Sequence, residues 1–190
     1  MDRGGGGWAN SVRIRARLLL CRTALALLLR RVEPSESPRP SCLVKGSVMT
    51  AQECAERVRD LMFAEDTAAQ ALGIDILDIG PGRARLTMRV RGHMTNGHHI
   101  CHGGFIFTLA DTAFAYSCNS YNQRCVAAGA MIDFVSAAHA NDLLIAEALE
   151  VSRGKRSGVY DVRVQSENGA LIAVFRGRSA TIKGQFFETT

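Results

Sequence analysis

The sequence predicts an α+β domain in which an antiparallel sheet surrounds one buried helix. The helix is predicted for residues 103–121, a run in which Asp111 is the only charged residue and which is apolar on nearly all sides. A helix of this kind has to be covered by other elements. Segments with the length and alternation of strands lie on both sides of it, and strands packed around one apolar helix form a layered α+β domain.

The chain before this run predicts a second helix with clear end signals. Residues 51–72 place apolar side chains at three- and four-residue spacing. Thr50 and Glu53 form a capping-box pattern at its start, and Gly73 ends it. We therefore expect one continuous amphipathic helix over these residues.

Six strands are predicted from alternation and from the turns between them. In residues 83–91 apolar side chains alternate with arginine or threonine, which is the pattern of a strand with one solvated face. Asn168-Gly169 is a strong hairpin signal, and residues 153–156 form another turn. Residues 92–102, rich in glycine, histidine and asparagine, are predicted as a loop. The predicted strands span residues 74–79, 83–91, 126–138, 143–152, 158–166 and 171–183.

Composition and charge fit one compact domain with an appended segment. The 190 residues are 47% hydrophobic and 22% charged. The formal net charge is +5, but residues 1–48 carry +6 and residues 49–190 carry −1. A neutral domain gives no support for binding nucleic acid. The sequence has no glycine-rich phosphate loop and no dinucleotide-binding fingerprint, so no cofactor is expected.

Residues 1–48 form a separate, basic segment that we expect to be disordered. Its apolar stretch, Leu18 to Leu29, is broken by Arg22 and is too short to span a bilayer, so no membrane partner is expected. Arginine-rich, acid-poor sequence resembles a mitochondrial transit peptide or an interfacial segment. The proline-rich residues 34–40 and the change in charge instead favour translation starting at Met49. The predicted domain is therefore residues 49–190.

The six cysteines indicate free thiols in a reducing compartment, which we take to be the cytoplasm. They form no C-x-x-C pair, and a chain with this much apolar content does not need a disulfide scaffold. His98, His99, Cys101 and His102 resemble a metal-ligand cluster. They crowd five residues of loop, however, and no distant pair completes a tetrahedral site, so no metal is expected.

Asp111 is the strongest candidate for a functional residue. An isolated carboxylate in an apolar helix is costly, and such a group is usually paired, protonated or functional. Gly103-Gly104 at the start of the same helix lets another group approach the backbone and aims free N–H groups at it. The helix start and the carboxylate two turns later are therefore predicted to serve one pocket.

The motif Asn96-Gly97, His102-Gly103-Gly104 and Asp111 resembles that of the hotdog-fold acyl-CoA thioesterases, in particular the phenylacetic-acid-degradation branch. The similarity covers about residues 50–185. It implies a sheet wrapped around the central helix, a dimer that joins two sheets, and commonly a homotetramer. Active sites would lie at the dimer interface and be built from both subunits. The implied substrate is an acyl-CoA of phenylacetyl or hydroxyphenylacetyl type.

The same resemblance implies roles in the site. Asp111 would act as general base on water, or as nucleophile to give a mixed anhydride. Asn96 would orient the water or the carbonyl, and the N–H of Gly103 or Gly104 would polarise the thioester carbonyl. In its apolar setting the pKa of Asp111 is expected to lie above that of a free aspartate, as suits a base.

Contacts to the rest of the substrate are predicted from two further groups of residues. Arg153, Lys155 and Arg156 crowd one turn, which is either a site for the CoA phosphates or an ordinary solvated hairpin tip. His102 is predicted to brace the helix start by hydrogen bonding, and we also place it beside the substrate. The aromatic candidates for an acyl slot, each with a core position as its default, are Phe105, Phe114, Tyr116 and Phe134.

Two other functions remain open from the sequence. A hotdog module can bind acyl-CoA without turnover, since fold alone does not determine function. The intact pair of Asp111 and Asn96 favours the enzyme. A hotdog dehydratase would need a histidine and a glutamate, and the central helix offers an aspartate and no such histidine.

Overall fold

The computed structural model describes residues 42–44 and 47–189. Most of the predicted N-terminal extension, residues 1–41 with 45 and 46, therefore lies outside the described residues. The end of that extension forms a short antiparallel pair, β1 (Cys42–Val44) and β2 (Ser47–Met49), which the sequence did not predict.

The first predicted helix begins directly after Thr50, the predicted cap residue. Helix α1 spans Ala51–Glu65. The capping box is confirmed, because the Glu53 N–H donates to Thr50 Oγ1 at 3.2 Å and the Thr50 N–H donates to Glu53 Oε2 at 2.7 Å. Both bonds satisfy donors that a helix start would otherwise leave unpaired.

The prediction of one continuous helix over residues 51–72 was wrong. The helix is interrupted at Asp66, whose backbone is not helical (φ −86°, ψ 74°). A second helix, α2, follows and spans Thr67–Leu72. The Asp66 carboxylate accepts the Ala69 N–H at 3.0 Å and so caps the new helix. Its other oxygen accepts the buried Tyr116 hydroxyl at 3.3 Å, which ties the break to the central helix. Periodicity alone does not reveal a break, because α2 resumes the same apolar face.

Six strands form an antiparallel sheet, and they lie close to the predicted positions. Their bounds are β3 Ile74–Gly80, β4 Arg83–Arg89, β5 Cys125–Phe134, β6 Leu143–Arg153, β7 Ser157–Ser166 and β8 Leu171–Thr181. In space the order is β3-β4-β6-β7-β8-β5. The predicted extension of β5 to residue 138 was wrong, because the N–H groups of Val135 and Ser136 both turn to the carbonyl of Ile172.

The central helix, α3 (Gly103–Asn119), contacts all six strands of the sheet. Leu109, Ala113 and Phe114 on its inner side are almost completely buried. The sheet makes room for the largest of them at Gly177, where an added Cβ would lie 2.9 Å from the Phe114 ring. The predicted layer of strands around one apolar helix is confirmed.

One face of α3 is not covered by the elements in the described part of the chain, so the expectation that the helix is surrounded is met there only on its other sides. The sheet curls around the inner side of the helix and ends at β5, which is exposed along nearly all its length. The open face carries residues spaced three or four apart, which share one side of a helix. They are Gly104, Thr108, Asp111, Thr112 and Ala115, all exposed or half-buried.

The arginine row of β4 lies on the solvated side of the sheet, as predicted. Arg83 pairs with Asp78, and Arg85 Nε lies 3.0 Å from Glu147 on the neighbouring strand. Exposed pairs of this kind contribute little, about 0–1 kcal/mol each. None of the helices in the described part of the chain is long and apolar enough to cross a membrane.

Leu109→Ala should lower the free energy of unfolding by about 2–5 kcal/mol, because it leaves a cavity between α3 and the sheet. Leu77→Ala is the matched control, since Leu77 is 55% exposed on β3. Its effect should stay within about 0.5 kcal/mol. Urea unfolding followed by circular dichroism measures both, and equal losses in the two variants would contradict the burial of α3.

Candidate active site

Asp111 lies on the open face of α3 without a hydrogen-bond partner among the described residues. The two hydroxyls nearest to it along the helix are engaged elsewhere. Thr108 Oγ1 donates to the Gly104 carbonyl at 2.8 Å, and Thr112 Oγ1 donates to the Thr108 carbonyl at 2.7 Å. Burial raises the pKa of the Asp111 carboxyl, which confirms the predicted direction. A half-buried carboxylate with free lone pairs can accept a proton from water or attack a carbonyl.

The loop before α3 fixes the side chain of Asn96. Thr95 pairs with Cys101 in an isolated bridge, and the Asn96 N–H donates to the Ile100 carbonyl at 2.9 Å. Asn96 Oδ1 accepts the His98 N–H at 2.9 Å, the geometry of an Asx turn. The acceptor end of the amide is therefore engaged locally. Its NH2 group is the end left to meet a ligand, so Asn96 is set up as a donor.

His102 caps the start of α3. Its Nδ1 accepts the Gly104 N–H at 3.0 Å, and its carbonyl accepts the Phe105 N–H at 3.0 Å. The bracing hydrogen bond predicted for His102 is confirmed, while its contact with substrate stays a prediction. The ring is exposed, and the backbone N–H of His102 donates to the Met94 carbonyl at 2.8 Å.

The two glycines differ in what their N–H groups do. The Gly104 N–H is taken by His102, whereas no described residue accepts the Gly103 N–H. Of the two candidates from the sequence, Gly103 is therefore the one with a free donor at the positive end of the helix dipole. A donor in this position suits a carbonyl oxygen that gains negative charge during a reaction.

The Gly103 N–H and the Asp111 carboxylate of one chain are too far apart to act on one carbonyl. The helix rises 1.5 Å per residue, so eight residues separate the two groups by about 12 Å along the axis. A reacting carbon has to lie about 3 Å from both an attacking oxygen and the donor to its oxyanion. Within one chain the two groups therefore cannot act on the same carbonyl, and the prediction that a helix start and an Asp111 serve one pocket would need a second copy of the chain.

The cationic turn between β6 and β7 lies at the far end of α3 from Gly103. The Arg153 guanidinium stacks 4.0 Å above the ring of Tyr121, which follows the last turn of α3. Lys155 and Arg156 are exposed at the tip of the turn. Ten residues from Asp111 to Tyr121 correspond to about 15 Å along the helix, so these cations lie nearer to the carboxylate than to the helix start.

Two of the four side chains that resemble a metal-ligand cluster, those of Cys101 and His102, are engaged in local structure. The Cys101 thiol is buried and points to the His102 carbonyl at 3.7 Å, and the His102 ring caps α3. Within the described part of the chain, no group of three or more His, Cys, Asp or Glu side chains is placed to hold a metal ion.

Three of the four aromatic candidates pack as expected, and one does not. Phe114 and Tyr116 are buried in the core, and Phe105 is half-buried against it. Phe134 is 54% exposed, so its default assignment to the core was wrong. It ends β5, where the sheet edge leaves one side of the ring in solvent. Its position was not predictable from the sequence, because exposure depends on which strand forms the edge.

The arrangement described so far, a curved antiparallel sheet around one central helix that carries the acidic residue, defines the hotdog class of proteins. The chain matches the model of the thioesterase superfamily over residues 98–173. It is 46% identical over 123 residues to the acyl-coenzyme A thioesterase PaaI of Escherichia coli strain K12, a match that covers 65% of this chain and 88% of the relative. This chain belongs to the thioesterase superfamily, as the motif indicated.

Solved structures agree with this assignment. The structure of the E. coli PaaI protein from the phenylacetic acid degradation operon superposes with a TM-score of 0.71 at 43% identity, covering 72% of this chain and 99% of that one. A mutant of the phenylacetic acid degradation protein PaaI from Thermus thermophilus gives a TM-score of 0.60 at 35% identity, covering 62% and 100%. A hypothetical thioesterase with coenzyme A from Streptococcus pneumoniae TIGR4, at 23% identity, TM-score 0.60 and coverage of 67% and 98%, supports the fold alone.

Asp111→Asn should stabilise the protein at neutral pH and leave its stability unchanged in acid. Because burial raises the pKa of Asp111, the folded protein keeps this proton to a higher pH than the unfolded chain does. Between the two pKa values the free energy of unfolding therefore falls as pH rises. The ionised Asp111 carboxylate destabilises the folded protein fully at pH values above its pKa in the folded state. It has no effect at pH values below its pKa in the unfolded chain, which is about 3.9. Urea unfolding of both proteins at equal concentration, at pH 7 and in acid, measures the difference.

Asp161→Asn is the control with the opposite sign. The Arg176 guanidinium holds the Asp161 carboxylate with two hydrogen bonds, at 2.6 and 2.7 Å, and lowers its pKa. This contribution to stability is present above the unfolded pKa and lost as pH falls through the folded pKa. The Asp161 variant should therefore be less stable than the wild type at pH 7. A loss of stability at pH 7 in the Asp111 variant would contradict the burial argument.

Proposed function

We propose that this protein hydrolyses acyl-CoA thioesters of phenylacetyl or hydroxyphenylacetyl type to the free acid and CoA. The observation that carries the proposal is the half-buried Asp111 carboxylate, with a raised pKa and no hydrogen-bond partner among the described residues. It belongs to a chain that is 46% identical to an acyl-coenzyme A thioesterase. The free thiols of Cys101, Cys118 and Cys125 agree with a reducing compartment such as the cytoplasm.

The chemistry needs a donor for the carbonyl oxygen and a base for water. The thioester oxygen accepts the Gly103 N–H, and the helix dipole behind it stabilises the negative charge of the tetrahedral intermediate. The Asn96 NH2 group, fixed by its Asx turn, donates a second hydrogen bond to the substrate. Asp111 takes a proton as the water oxygen bonds to the carbonyl carbon. The intermediate then expels the CoA thiolate, which takes the proton back from Asp111.

Direct attack by Asp111 is the other route to the same products. A carboxylate oxygen would bond to the carbonyl carbon, the CoA thiolate would leave, and water would cleave the resulting mixed anhydride. Both routes use the same raised pKa and the same free lone pairs. They differ in the fate of the oxygen from water, which enters the product acid directly in the first route.

A complete site requires two copies of the chain, because about 12 Å separates the two halves within one helix. The free edge of β5 supports such a dimer, since a long exposed edge strand is a template for pairing with another chain. Val126, Met131 and Phe134 on this strand are exposed apolar residues. Two β5 strands paired antiparallel across a two-fold axis would set the α3 helices side by side in opposite directions. Asp111 of one copy would then approach Gly103 of the other. The homotetramer remains a prediction.

The cationic turn is proposed to meet the phosphates of CoA. Arg153 is oriented by the Tyr121 ring, and Lys155 and Arg156 are exposed beside it. The turn lies beyond the C-terminal end of α3, and Asp111, where the partner's donor would lie in the dimer, is at the middle of that helix. An extended CoA arm is long enough to cover about 15 Å from the carboxylate to this turn.

Thiol release from CoA thioesters should depend on Asp111 and on Asn96. We expect the wild type to cleave phenylacetyl- and hydroxyphenylacetyl-CoA faster than benzoyl-, hexanoyl- or acetyl-CoA, with a thiol-reactive dye as the readout. Asp111→Asn should lower kcat on the order of a hundredfold or more, and Asn96→Ala by a similar factor, because each removes a group that acts in the transition state.

Asp75→Asn is the matched control, since Asp75 is exposed on β3 at the opposite edge of the sheet. It should leave the rate unchanged. An Asp111 variant that keeps full activity would refute the proposed mechanism. No thiol release from any ester by the wild type would instead favour the alternative function, binding of acyl-CoA without turnover.

Two inactive variants should restore activity when they form mixed assemblies. Asp111→Asn lacks the base and Asn96→Ala lacks the donor, but a site that combines Asn96 of the first with Asp111 of the second is intact. Random mixing of equal amounts makes about a quarter of all sites complete, whatever the size of the assembly. Co-expression of both variants should therefore give about a quarter of the wild-type rate. No recovery would show that both residues act within one chain.

A further inference from the structure

The first residue of α3 is a glycine because a neighbouring side chain needs the space, not because the backbone adopts a conformation that only glycine allows. Gly103 is not among the described glycines with positive φ, so an alanine can adopt its backbone conformation. The obstacle to a side chain is the ring of Phe134. A Cβ on Gly103 would lie 2.8 Å from Phe134 Cζ, 3.2 Å from Cε1 and 3.3 Å from Cε2. The missing side chain is therefore what lets this ring lie over the helix start.

The Phe134 side chain faces α3 although more than half of it is exposed. It is the last residue of β5 and pairs with Ala173. Ile132, two residues earlier, packs against the core, and alternate residues of a strand share one face. Phe134 therefore points to the same side as Ile132. With 54% of its surface exposed, it covers Gly103 with the far edge of the ring and presents the remainder to solvent.

We propose that Phe134 is a specificity-determining residue of the thioesterase, an aromatic wall beside the Gly103 N–H that favours aromatic over aliphatic acyl groups. The inference rests on the proposed role of that N–H as donor to the thioester carbonyl. An oxygen about 3 Å from the Gly103 nitrogen brings the adjoining acyl carbons within contact of a ring that already lies over Gly103.

Two physical effects follow from a ring in this position. An aryl group in offset or edge-to-face contact with Phe134 gains more than an aliphatic chain of similar area, which corresponds to about two- to tenfold in relative rate. The ring also keeps water away from the Gly103 N–H. A hydrogen bond to the oxyanion is stronger when water is excluded, so the ring supports the donor as well as the acyl group.

The selectivity ratio tests the wall directly. Phe134→Leu keeps an apolar side chain of comparable size and removes the aromatic face. The ratio of kcat/KM for phenylacetyl-CoA to that for hexanoyl-CoA should fall about two- to tenfold. Leu77→Met is the matched control, because Leu77 is 55% exposed on β3 at the opposite edge of the sheet. It should leave the ratio unchanged.

A double-mutant cycle tests the link between Gly103 and the ring. Gly103→Ala keeps the N–H donor but introduces a Cβ that pushes the exposed ring aside. It should lower kcat/KM for phenylacetyl-CoA several-fold in the wild-type background. In a Phe134→Ala background the same change should have little further effect, because the ring is already absent. Losses that simply multiply would show that Gly103 and Phe134 act independently and would overturn the proposal.

Binding separates this proposal from the proposed catalytic mechanism. In the Asp111→Asn background, where the thioesters are not turned over, calorimetry measures their affinities. Phe134→Leu should lower the affinity for phenylacetyl-CoA more than the affinity for hexanoyl-CoA. If Asp111→Asn stays active, the mechanism fails and the kcat/KM ratio still decides the role of Phe134. If the wild type has no activity, the ratio of the affinities for phenylacetyl-CoA and hexanoyl-CoA decides the role of Phe134. In either case the proposal is overturned if Phe134→Leu leaves the deciding ratio unchanged.

Discussion

The packing of α3 into the curved sheet is the interaction on which the rest of the structure depends. Leu109, Ala113 and Phe114 fix the rotation of the helix about its axis, because their side chains have to face the strands. Once that rotation is set, Asp111 has to emerge on the opposite side, which the sheet does not reach. The carboxylate is half-buried in this position, and that burial raises its pKa.

The geometry of α3 also keeps the two parts of the candidate site, the Gly103 N–H and the Asp111 carboxylate, apart. A donor at the first residue of a helix and an acid two turns later are separated by about 12 Å, and no side-chain movement closes that gap. The sheet edge at β5 lies beside this open face, and no other described strand pairs with its outer side. The proposed partner, a second copy of the chain, would complete both the site and the sheet on this side of the described domain.

Much of this architecture was predictable from local pattern, and the failures have physical causes. The strands of the sheet and the capping box at Thr50 follow from alternation and side-chain chemistry, which act over a few residues. The break at Asp66 was missed because a long-range hydrogen bond from Tyr116 supports it. The exposure of Phe134 was missed because it depends on strand order. Asp111 could be chosen as a candidate from the sequence because a lone acid in an apolar helix is costly in any fold.

The free donor at Gly103 results from the way His102 occupies its neighbours. A helix start leaves several N–H groups without intrahelical partners. His102 accepts the Gly104 N–H with its ring and the Phe105 N–H with its carbonyl. The ring can do so only while Nδ1 is unprotonated, so the cap requires a neutral imidazole. With both following donors satisfied, the positive end of the dipole is presented through one N–H. A site that offers one oriented donor has little reorganisation left to perform when charge develops on a carbonyl oxygen, and this would be the physical basis of the proposed role of Gly103.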